Sequence, residues 1–314
     1  AWITQLPGGG AVWQGPTVVG DKLWVTTTAG ILYCLDKFSG AQLWSKTFGV
    51  MLYTTPTYTD GKLYFGEVNA SGTPANFYCI NATTGDKIWN FTTGNQIYSS
   101  PVVAYGNVYF GSYDNKFYCL DAESGTHKWN FTTGGFIYSE PALAEGKIYF
   151  GSRADTKVWA INASTGEHIW NYTVDGQVRS GITYASGSEG RILVGTWTGT
   201  TPPGSLYCLF AANGTLSWSK TAIGDFRASP SVHGNKVIFS VMDGDLTCVD
   251  IADGSVIWTK GPYNGGYSKP AISGGKVYWG DDDSIVYCFN ETNGNLIWFY
   301  TVSYTHLTLP TKRI

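Results

Sequence analysis

The sequence predicts an all-β fold, a β-propeller built from repeated blades of four strands each. A tryptophan recurs every 40 to 48 residues, each period holds four short β-rich runs, and a tight turn ending in glycine precedes each of the later tryptophans. Repeats of this length and content are typical of propeller blades. The recurring tryptophans are Trp2, Trp44, Trp89, Trp129, Trp170, Trp218, Trp258 and Trp298.

One repeat shows how a blade is built. The runs Ile97–Ala104, Val108–Ser112, Phe117–Leu120 and His127–Phe131 are rich in β-branched and aromatic residues and are separated by turn residues. They are predicted to form the inner, second, third and outer strands in that order. The turn Asp121–Gly125 before the outer strand places an Asx side chain, which caps backbone N–H groups, before a glycine that accepts positive φ.

Seven complete four-stranded blades fit between about Val12 and Thr301. Before them, Trp2–Leu6 matches an orphan outer strand, so we expect a fragment of an eight-bladed propeller whose last three strands would follow residue 301. The predicted propeller domain is therefore 1–301. Residues 302–314 lack the pattern and resemble a translated sequencing adaptor, so we expect a non-native tail there.

Composition excludes two classes of partner. Charged residues make up 14% of the chain and the formal net charge is −3, which gives no basic surface for nucleic acid. No apolar run approaches the roughly 18 residues that a membrane-spanning helix needs. We therefore expect neither a nucleic-acid partner nor membrane insertion by this segment.

The six cysteines share one repeat position, ten residues before a repeat tryptophan, and Ala160 fills that position in the remaining copy. Equivalent positions in neighbouring blades should lie beyond the roughly 7 Å Cα separation that a disulfide allows. The cysteines are therefore predicted to be small buried packing residues. They are Cys34, Cys79, Cys119, Cys208, Cys248 and Cys288.

The repeated string A/C-x-D/N-x-x-T/S/N-G-x-x-x-W resembles the tryptophan-docking motif of the pyrroloquinoline-quinone-like (quinoprotein-type) repeat family. The resemblance covers residues 1–301. It implies a β-propeller in which each tryptophan ring packs between adjacent blades, against the motif turn of its neighbour. The residues given this structural role are Trp44, Trp89, Trp129, Trp170, Trp218, Trp258 and Trp298.

The resemblance allows several functions, because the family includes quinone-dependent alcohol and sugar dehydrogenases, an envelope-assembly lipoprotein, sensor domains of membrane kinases and cell-surface proteins. Its alcohol dehydrogenases use a vicinal Cys-Cys pair and a calcium cluster, and this chain has no Cys-Cys pair. We expect no cofactor; pyrroloquinoline quinone with calcium is the alternative. The acidic candidates for such a metal fall in different blades: Glu67, Glu140, Asp155, Asp281, Asp282 and Asp283.

The candidate binding site is the mouth of the central channel, where the inner strands are predicted to begin. Tyrosine, tryptophan and arginine at this ring are residue types enriched at binding hot spots, so a protein or glycan partner is expected here. The aromatic rings would stack a sugar or peptide ring, and the arginines would hold an anion. The alternative is repeat-encoded packing of tyrosines around a wet channel. The ring is Trp13, Tyr53, Tyr98, Tyr138, Arg179, Arg227 and Tyr267, with Glu140 and Lys269 two residues further along their strands.

Eight N-x-S/T sequons favour an exported protein, because they mark acceptor sites for glycosylation. We expect some of them on outer strands and turns at the rim, which a glycosyltransferase reaches. They are Asn69, Asn81, Asn90, Asn130, Asn162, Asn171, Asn213 and Asn290.

The leading functional hypothesis is a non-enzymatic scaffold or recognition module of an extracellular or cell-surface protein. No catalytic residue is predicted: the four histidines are scattered, and the sequence has no metalloprotease, phosphate-loop or CxxC motif. The alternatives are a fragment of a quinone-dependent alcohol or sugar dehydrogenase, and the sensor domain of a membrane kinase or an envelope-assembly protein.

Overall fold

A computed structural model describes residues 2, 4–69, 72–187, 189–199, 203–221, 224–242, 244–265 and 268–301. In this part of the chain all regular structure is β, arranged as seven antiparallel sheets that follow one another along the sequence. Within each sheet the strands lie in chain order from the inner to the outer edge. The chain is thus a seven-bladed propeller of four-stranded blades.

The strands are given blade by blade, from inner to outer. Blade 1 contains β1 (Thr17–Val19), β2 (Lys22–Thr26), β3 (Ile31–Asp36) and β4 (Gln42–Thr47). Blade 2 contains β5 (Met51–Leu52), β6 (Thr57–Thr59), β7 (Lys62–Val68), β8 (Ala75–Asn81) and β9 (Lys87–Thr93). Blade 3 contains β10 (Val102–Ala104), β11 (Asn107–Gly111), β12 (Lys116–Asp121) and β13 (His127–Thr132).

The remaining blades follow the same order. Blade 4 contains β14 (Ala142–Ala144), β15 (Lys147–Ser152), β16 (Lys157–Asn162) and β17 (His168–Thr173). Blade 5 contains β18 (Gln177–Val178), β19 (Thr183–Ala185), β20 (Arg191–Trp197), β21 (Ser205–Phe210) and β22 (Leu216–Thr221). Blade 6 contains β23 (Ser231–His233), β24 (Lys236–Ser240), β25 (Leu246–Asp250) and β26 (Val256–Lys260). Blade 7 contains β27 (Ala271–Ser273), β28 (Lys276–Gly280), β29 (Ile285–Asn290) and β30 (Leu296–Thr301).

The inner strands are shorter than the sequence predicts. The predicted strand Ile97–Ala104 pairs with β11 only over Val102–Ala104. Pro101 just before it has no N–H to donate to a ladder, so regular pairing begins after the proline. In blades 2 and 5 the inner edge consists of two pieces on the same second strand, β5 with β6 and β18 with β19.

In blades 2 to 6 a lead-in segment of five residues precedes the three-residue inner strand, and its first residue is buried. In blade 4, Ile137 is fully buried against Gly111 of blade 3, where a Cβ would collide with the isoleucine side chain. Two residues later the Ser139 hydroxyl donates to the carbonyl of Gly151 (3.0 Å) and accepts from its N–H (2.8 Å). The hydroxyl thereby satisfies a backbone pair that a continuous strand would satisfy. The lead-in segments are Leu52–Pro56, Ile97–Pro101, Ile137–Pro141, Val178–Ile182 and Phe226–Pro230.

In blades 2 to 6 an outer-strand tryptophan joins each blade to the next. Trp89 Nε1 donates to the carbonyl of Ala122 (3.2 Å), and its Cδ2 lies 2.6 Å from the position that a Cβ on Gly125 would take. Gly125 has φ +72°, so the turn needs glycine both for its backbone and for the ring above it. The same indole donation joins Trp129 to Ser164, Trp170 to Ala211, Trp218 to Ile251 and Trp258 to Glu291.

The predicted orphan strand is only partly right. Trp2 Nε1 donates to the carbonyl of Lys37 (2.9 Å) and its ring lies against Gly40, which is how the other tryptophans contact the next blade. However, neither Trp2 nor Thr4–Leu6 is in a strand. An outer strand pairs with the third strand of its own blade, and the described part of the chain places no such strand beside this segment.

The outer face of blade 7 is exposed. Trp298 is 43% exposed, whereas Trp258 in the preceding blade is 6% exposed. Val286 is 36% exposed, and its counterpart Leu246 in blade 6 is fully buried. Among the described residues nothing covers this face, which leaves apolar surface of a kind that monomeric proteins normally bury.

All six cysteines are free and buried, as the repeat position predicts. Their counterpart Ala160 is also fully buried. Burial raises the pKa of the Cys119 thiol to about 12, so the thiolate is not populated at neutral pH. These positions pack the blades together.

Candidate binding site in the central channel

Eight of the nine predicted channel-mouth residues line one cavity of about 540 Å³. All seven blades contribute to its lining, so the cavity lies on the propeller axis. The residues do not begin the inner strands, as predicted, but precede them, in or next to the lead-in segments. Tyr267, the ninth, lies outside the described residues. The eight are Trp13, Tyr53, Tyr98, Tyr138, Glu140, Arg179, Arg227 and Lys269.

The fixed lead-in segments explain why these side chains meet. In blade 4 the buried anchor Ile137 and the paired Ser139 alternate with Tyr138 and Glu140. Because side chains alternate in extended backbone, fixing one set against the blade directs the other set towards the channel. The repeat thus fixes the direction of each channel residue and leaves its chemistry free.

An aromatic cluster occupies one side of the channel. The ring centroids of Tyr53 and Tyr98 are 5.1 Å apart, those of Tyr98 and Tyr138 are 5.2 Å apart, and Trp13 lies 5.7 Å from Tyr53. The Tyr138 hydroxyl donates to that of Tyr53 (3.1 Å). Burial raises the pKa of Tyr138 well above its usual range, so this hydroxyl stays protonated. The tyrosines do pack on one another, and they still present aromatic and hydroxyl groups to the cavity.

A third arginine, Arg153, joins the two that the sequence predicts for the channel. Arg153 Nε and Arg179 Nε both donate to the side-chain oxygen of Gln177, at 2.9 and 3.1 Å. Arg153 Nη1 also donates to the hydroxyl of Tyr113 (2.8 Å). A smaller cavity of about 230 Å³ is lined by Trp13, Tyr53, Tyr138, Arg153, Arg179 and Arg227.

This arginine sector is held in place and is strongly positive. The guanidinium carbon of Arg179 lies 3.3 Å from the ring centroid of Trp197, a cation–π contact. Burial, and then the charges of Arg153 and Arg227, lower the pKa of Arg179 to about 10. The group is therefore protonated at neutral pH, at a cost that a bound anion would relieve.

Arg153, Tyr113 and Trp197 are not among the residues predicted for the channel, although the repeats carry a signal for them. All three occupy the same repeat position, at the end of the second strand. The backbone at this position pairs with the residue just before the lead-in segment; Arg153 N, for example, donates to the carbonyl of Phe136 (2.9 Å). Aligning the repeats would have shown a second recurring position, from which Arg153 and Asp282 line the channel cavities. The residues at this position are Thr28, Val68, Tyr113, Arg153, Trp197, Met242 and Asp282.

Glu140 belongs to a polar chain on the wide part of the channel. The Ser100 hydroxyl donates to Glu140 Oε1 (2.9 Å) and accepts from the backbone N–H of Thr55 (3.0 Å). Lys269 lines the same wide cavity together with Asp281. The wide cavity therefore carries both signs of charge, whereas the charged residues described around the smaller cavity are all arginines.

The candidate calcium ligands do not form a metal-binding group. The carboxylate of Glu67 is used locally: it accepts from the N–H of Asn76 and the hydroxyl of Tyr78, both at 2.7 Å. The carboxylate of Asp281 accepts from the N–H of Ile285 (2.9 Å) in the same way. Within the described ranges no three His, Cys, Asp or Glu side chains form a group able to hold a metal. This donor set does not fit the quinone–calcium pair that the resemblance implied as an alternative.

The sequons differ in exposure. Four of the asparagines are exposed: Asn90, Asn130, Asn171 and Asn213. The turn asparagines are half-buried instead of exposed, because their side-chain oxygens cap the turn; Asn81 Oδ1, for example, accepts from the N–H of Thr83 (2.8 Å). The half-buried ones are Asn69, Asn81, Asn162 and Asn290.

Comparison with known proteins places the chain in a family. A family model described as outer membrane protein assembly factor BamB matches residues 1–76, 65–182 and 155–312. Among curated protein sequences none matches. Within the described residues there is also no helix with the length and apolar character to cross a bilayer.

Solved structures share the fold at low sequence identity. BamB from Moraxella catarrhalis has a TM-score of 0.74 at 18% identity, over 92% of this chain and 85% of that one. The computationally designed Ika8 protein has a TM-score of 0.77 at 14% identity, over 94% and 88%. A europium-containing methanol dehydrogenase has a TM-score of 0.76 at 13% identity, over 94% and 79%. An assembly factor, a designed protein and an enzyme thus share this architecture, so function has to be argued from the site.

Proposed function

Since this chain belongs to the PQQ-like repeat family whose model is described as outer membrane protein assembly factor BamB, we propose that it is a non-enzymatic recognition module. It binds a protein or glycan partner at the mouth of its channel, outside the cytoplasm, at the cell envelope or surface. The observation that carries the proposal is the convergence of eight channel-mouth residues, of five residue types, on one cavity. Aromatic and arginine side chains in a partly desolvated pocket are the usual anchors of recognition.

Site-specific photo-crosslinking tests the binding face with a matched pair of tyrosines. Tyr98 lies at the channel mouth of blade 3, and Tyr105 is 69% exposed in the turn at the other end of the inner strand β10. A photoreactive phenylalanine analogue at Tyr98 should crosslink a partner in the source organism's envelope, whereas the same probe at Tyr105 should not. Equal crosslinking from both positions would contradict the proposed face.

We propose that the module works without a quinone cofactor. The support is the carboxylate arrangement described above, in which Glu67 and Asp281 are consumed by their own loops. The purified chain should show no quinone absorption band after incubation with pyrroloquinoline quinone and calcium, and no dye reduction with alcohols or sugars. A bound quinone band together with substrate-dependent dye reduction would replace the proposal by a dehydrogenase.

For the architecture, we propose that an eighth blade completes the ring between Trp298 and the segment that carries Trp2, because the blade 7 face is uncovered. The chain alone should then self-associate, and a monodisperse monomer with a sharp thermal transition would contradict this.

For the sequons, mass spectrometry of the native protein should find glycans first on the exposed Asn90, Asn130 and Asn171.

A further inference from the structure

Three guanidinium groups converge on one small cavity of the channel. Arg153 comes from the loop after the second strand of blade 4, Arg179 from the lead-in segment of blade 5 and Arg227 from that of blade 6. The volume is about 230 Å³, below the range of about 300–1,000 Å³ that drug-sized ligands occupy. The cavity therefore suits one ring or one terminal group, and it opens beside the wider cavity of about 540 Å³.

The hydrogen bonds recorded for Arg153 and Arg179 are to neutral groups. Both donate to the amide oxygen of Gln177, and Arg153 adds the hydroxyl of Tyr113. Neutral acceptors orient a guanidinium without cancelling its charge. The arrangement keeps the positive charges of Arg153 and Arg179 close together, and a bound anion would offset both. A carboxylate suits this sector because a guanidinium fork pairs with its two oxygens.

The remaining walls favour a ring that carries hydroxyl groups. Trp13 is 54% exposed and lines this cavity beside Tyr53, so its indole offers apolar surface to the C–H side of a sugar. The hydroxyls of Tyr53 and Tyr138 lie 3.1 Å apart at the same cavity. An acidic side chain of a peptide would reach the arginines but would leave the aromatic wall uncovered.

We propose that this cavity binds a uronic acid residue, so that the partner recognised by the module is an acidic glycan. The carboxylate lies against Arg153 and Arg179, the sugar ring packs on Trp13 and Tyr53, and the chain continues into the wider cavity. This inference rests on the proposed function, since it names the partner of the same site. If this inference fails, the acidic glycan is excluded as the partner, and the channel mouth can still bind a partner of another kind.

Isothermal titration of the purified chain with short oligogalacturonides is the direct test. Oligogalacturonides should bind, and the matching neutral galacto-oligosaccharides should bind at least 10-fold more weakly, because hydrogen bonds to charged groups contribute most of the discrimination. The affinity should also fall with added salt, since the arginine sector is open to solvent. Equal binding of neutral and acidic sugars would overturn the proposal.

Arginine variants separate the site from general charge effects. Arg153→Gln and Arg179→Gln should each weaken binding roughly 10- to 100-fold, and Arg153→Lys should weaken it less because the charge remains. The control is Arg191→Gln, which removes one arginine of the same chain that pairs with Glu189 outside the channel (3.1 Å). An equal loss in Arg191→Gln would overturn the assignment. Circular dichroism melting of every variant shows whether a loss comes from unfolding.

Competing anions identify other sources of the same charge. Polyglutamate or inorganic phosphate that binds as tightly as the uronides would overturn the sugar assignment, and so would pyrroloquinoline quinone bound in their place. The crosslinking experiment at Tyr98 keeps the two proposals distinguishable. If crosslinks form at Tyr98 and no uronide binds, the recognition face stands and the acidic glycan falls. If neither is observed, both proposals fall.

Discussion

Two glycines of blade 3 offer a quantitative test of how the tryptophan joins neighbouring blades. Gly106 and Gly125 have nearly the same backbone, with φ +70° and +72°. Nothing lies within 4 Å of a Cβ placed on Gly106, whereas a Cβ on Gly125 would lie 2.6 Å from Trp89 Cδ2. The pair therefore shares the backbone strain of a substitution and differs in the contact with the neighbouring blade.

The expected magnitudes follow from these two effects. Forcing an alanine into the left-handed region costs about 1–2 kcal/mol, so Gly106→Ala should lower the free energy of unfolding by that amount. Gly125→Ala adds overpacking against the indole, which typically costs about 1–3 kcal/mol, for a total of about 2–5 kcal/mol. Urea unfolding followed by both fluorescence and circular dichroism measures the difference, provided the two transitions coincide.

A double-mutant cycle isolates the contribution of the ring. In a Trp89→Ala background the extra cost of Gly125→Ala should disappear, leaving a value equal to that of Gly106→Ala. If Gly125→Ala and Gly106→Ala cost the same in the wild-type background, the indole does not constrain the turn. The tryptophans would then have to be explained by burial alone.

Three further predictions concern other positions. Trp258→Ala should lower the free energy of unfolding by about 3–5 kcal/mol, whereas Trp298→Ala, at a site 43% exposed, should cost under about 1 kcal/mol in the same urea titration. The thiol of Cys119 should react with Ellman's reagent only after unfolding, since burial raises its pKa to about 12; labelling of the native chain would contradict this. The N–H of Ser124 lowers the pKa of Asp121 to about 2, so this carboxylate stabilises the fold above about pH 4 and progressively less as pH falls towards 2. Asp121→Asn should therefore lose less stability than wild type over that acid range, and parallel pH profiles would refute the assignment.

The repeat predicts the blades well because the same packing requirements recur in seven copies of the sequence. Gly125 needs glycine for its φ, Trp89 needs that glycine to approach the turn, and the residue at Cys119 needs to be small. Each requirement acts between neighbours in sequence or between consecutive blades, so a comparison of the copies reveals it. Strand order and blade number follow from the same local rules.

The length of the inner strands could not be predicted in the same way. The run Ile97–Ala104 has strand-like composition, yet only its last three residues pair with β11. In blade 4 the pairing that a longer strand would supply is made by a side chain, because the Ser139 hydroxyl bonds to the backbone of Gly151. Serine and threonine compete with backbone pairing through such bonds, and periodicity does not detect them.

The sequence predicts the channel residues that lie at a fixed distance before the aligned proline position. It does not predict those that come from the end of a second strand. Arg179 and Arg227 were found because each departs from tyrosine at one aligned position. Arg153 comes from a different position, and only the folded blade places it beside Gln177. Alignment at one repeat position therefore predicts only part of the channel lining. The residues that come from the second strands can be placed only when the pairing between strands is known.

Under the proposed function, the positions where the repeats differ set what the channel binds. Packing between blades requires the anchor Ile137 and the hydroxyl of Ser139, and it places no matching demand on the residue between them. Tyrosine at that position in three successive blades satisfies packing, and Arg179 and then Arg227 replace it in the next two blades. Burial, and then the charges of Arg153 and Arg227, lower the pKa of Arg179, so the fold holds this charge at a cost. Under the proposed function a bound anion would offset that cost, whereas an apolar or cationic partner would not.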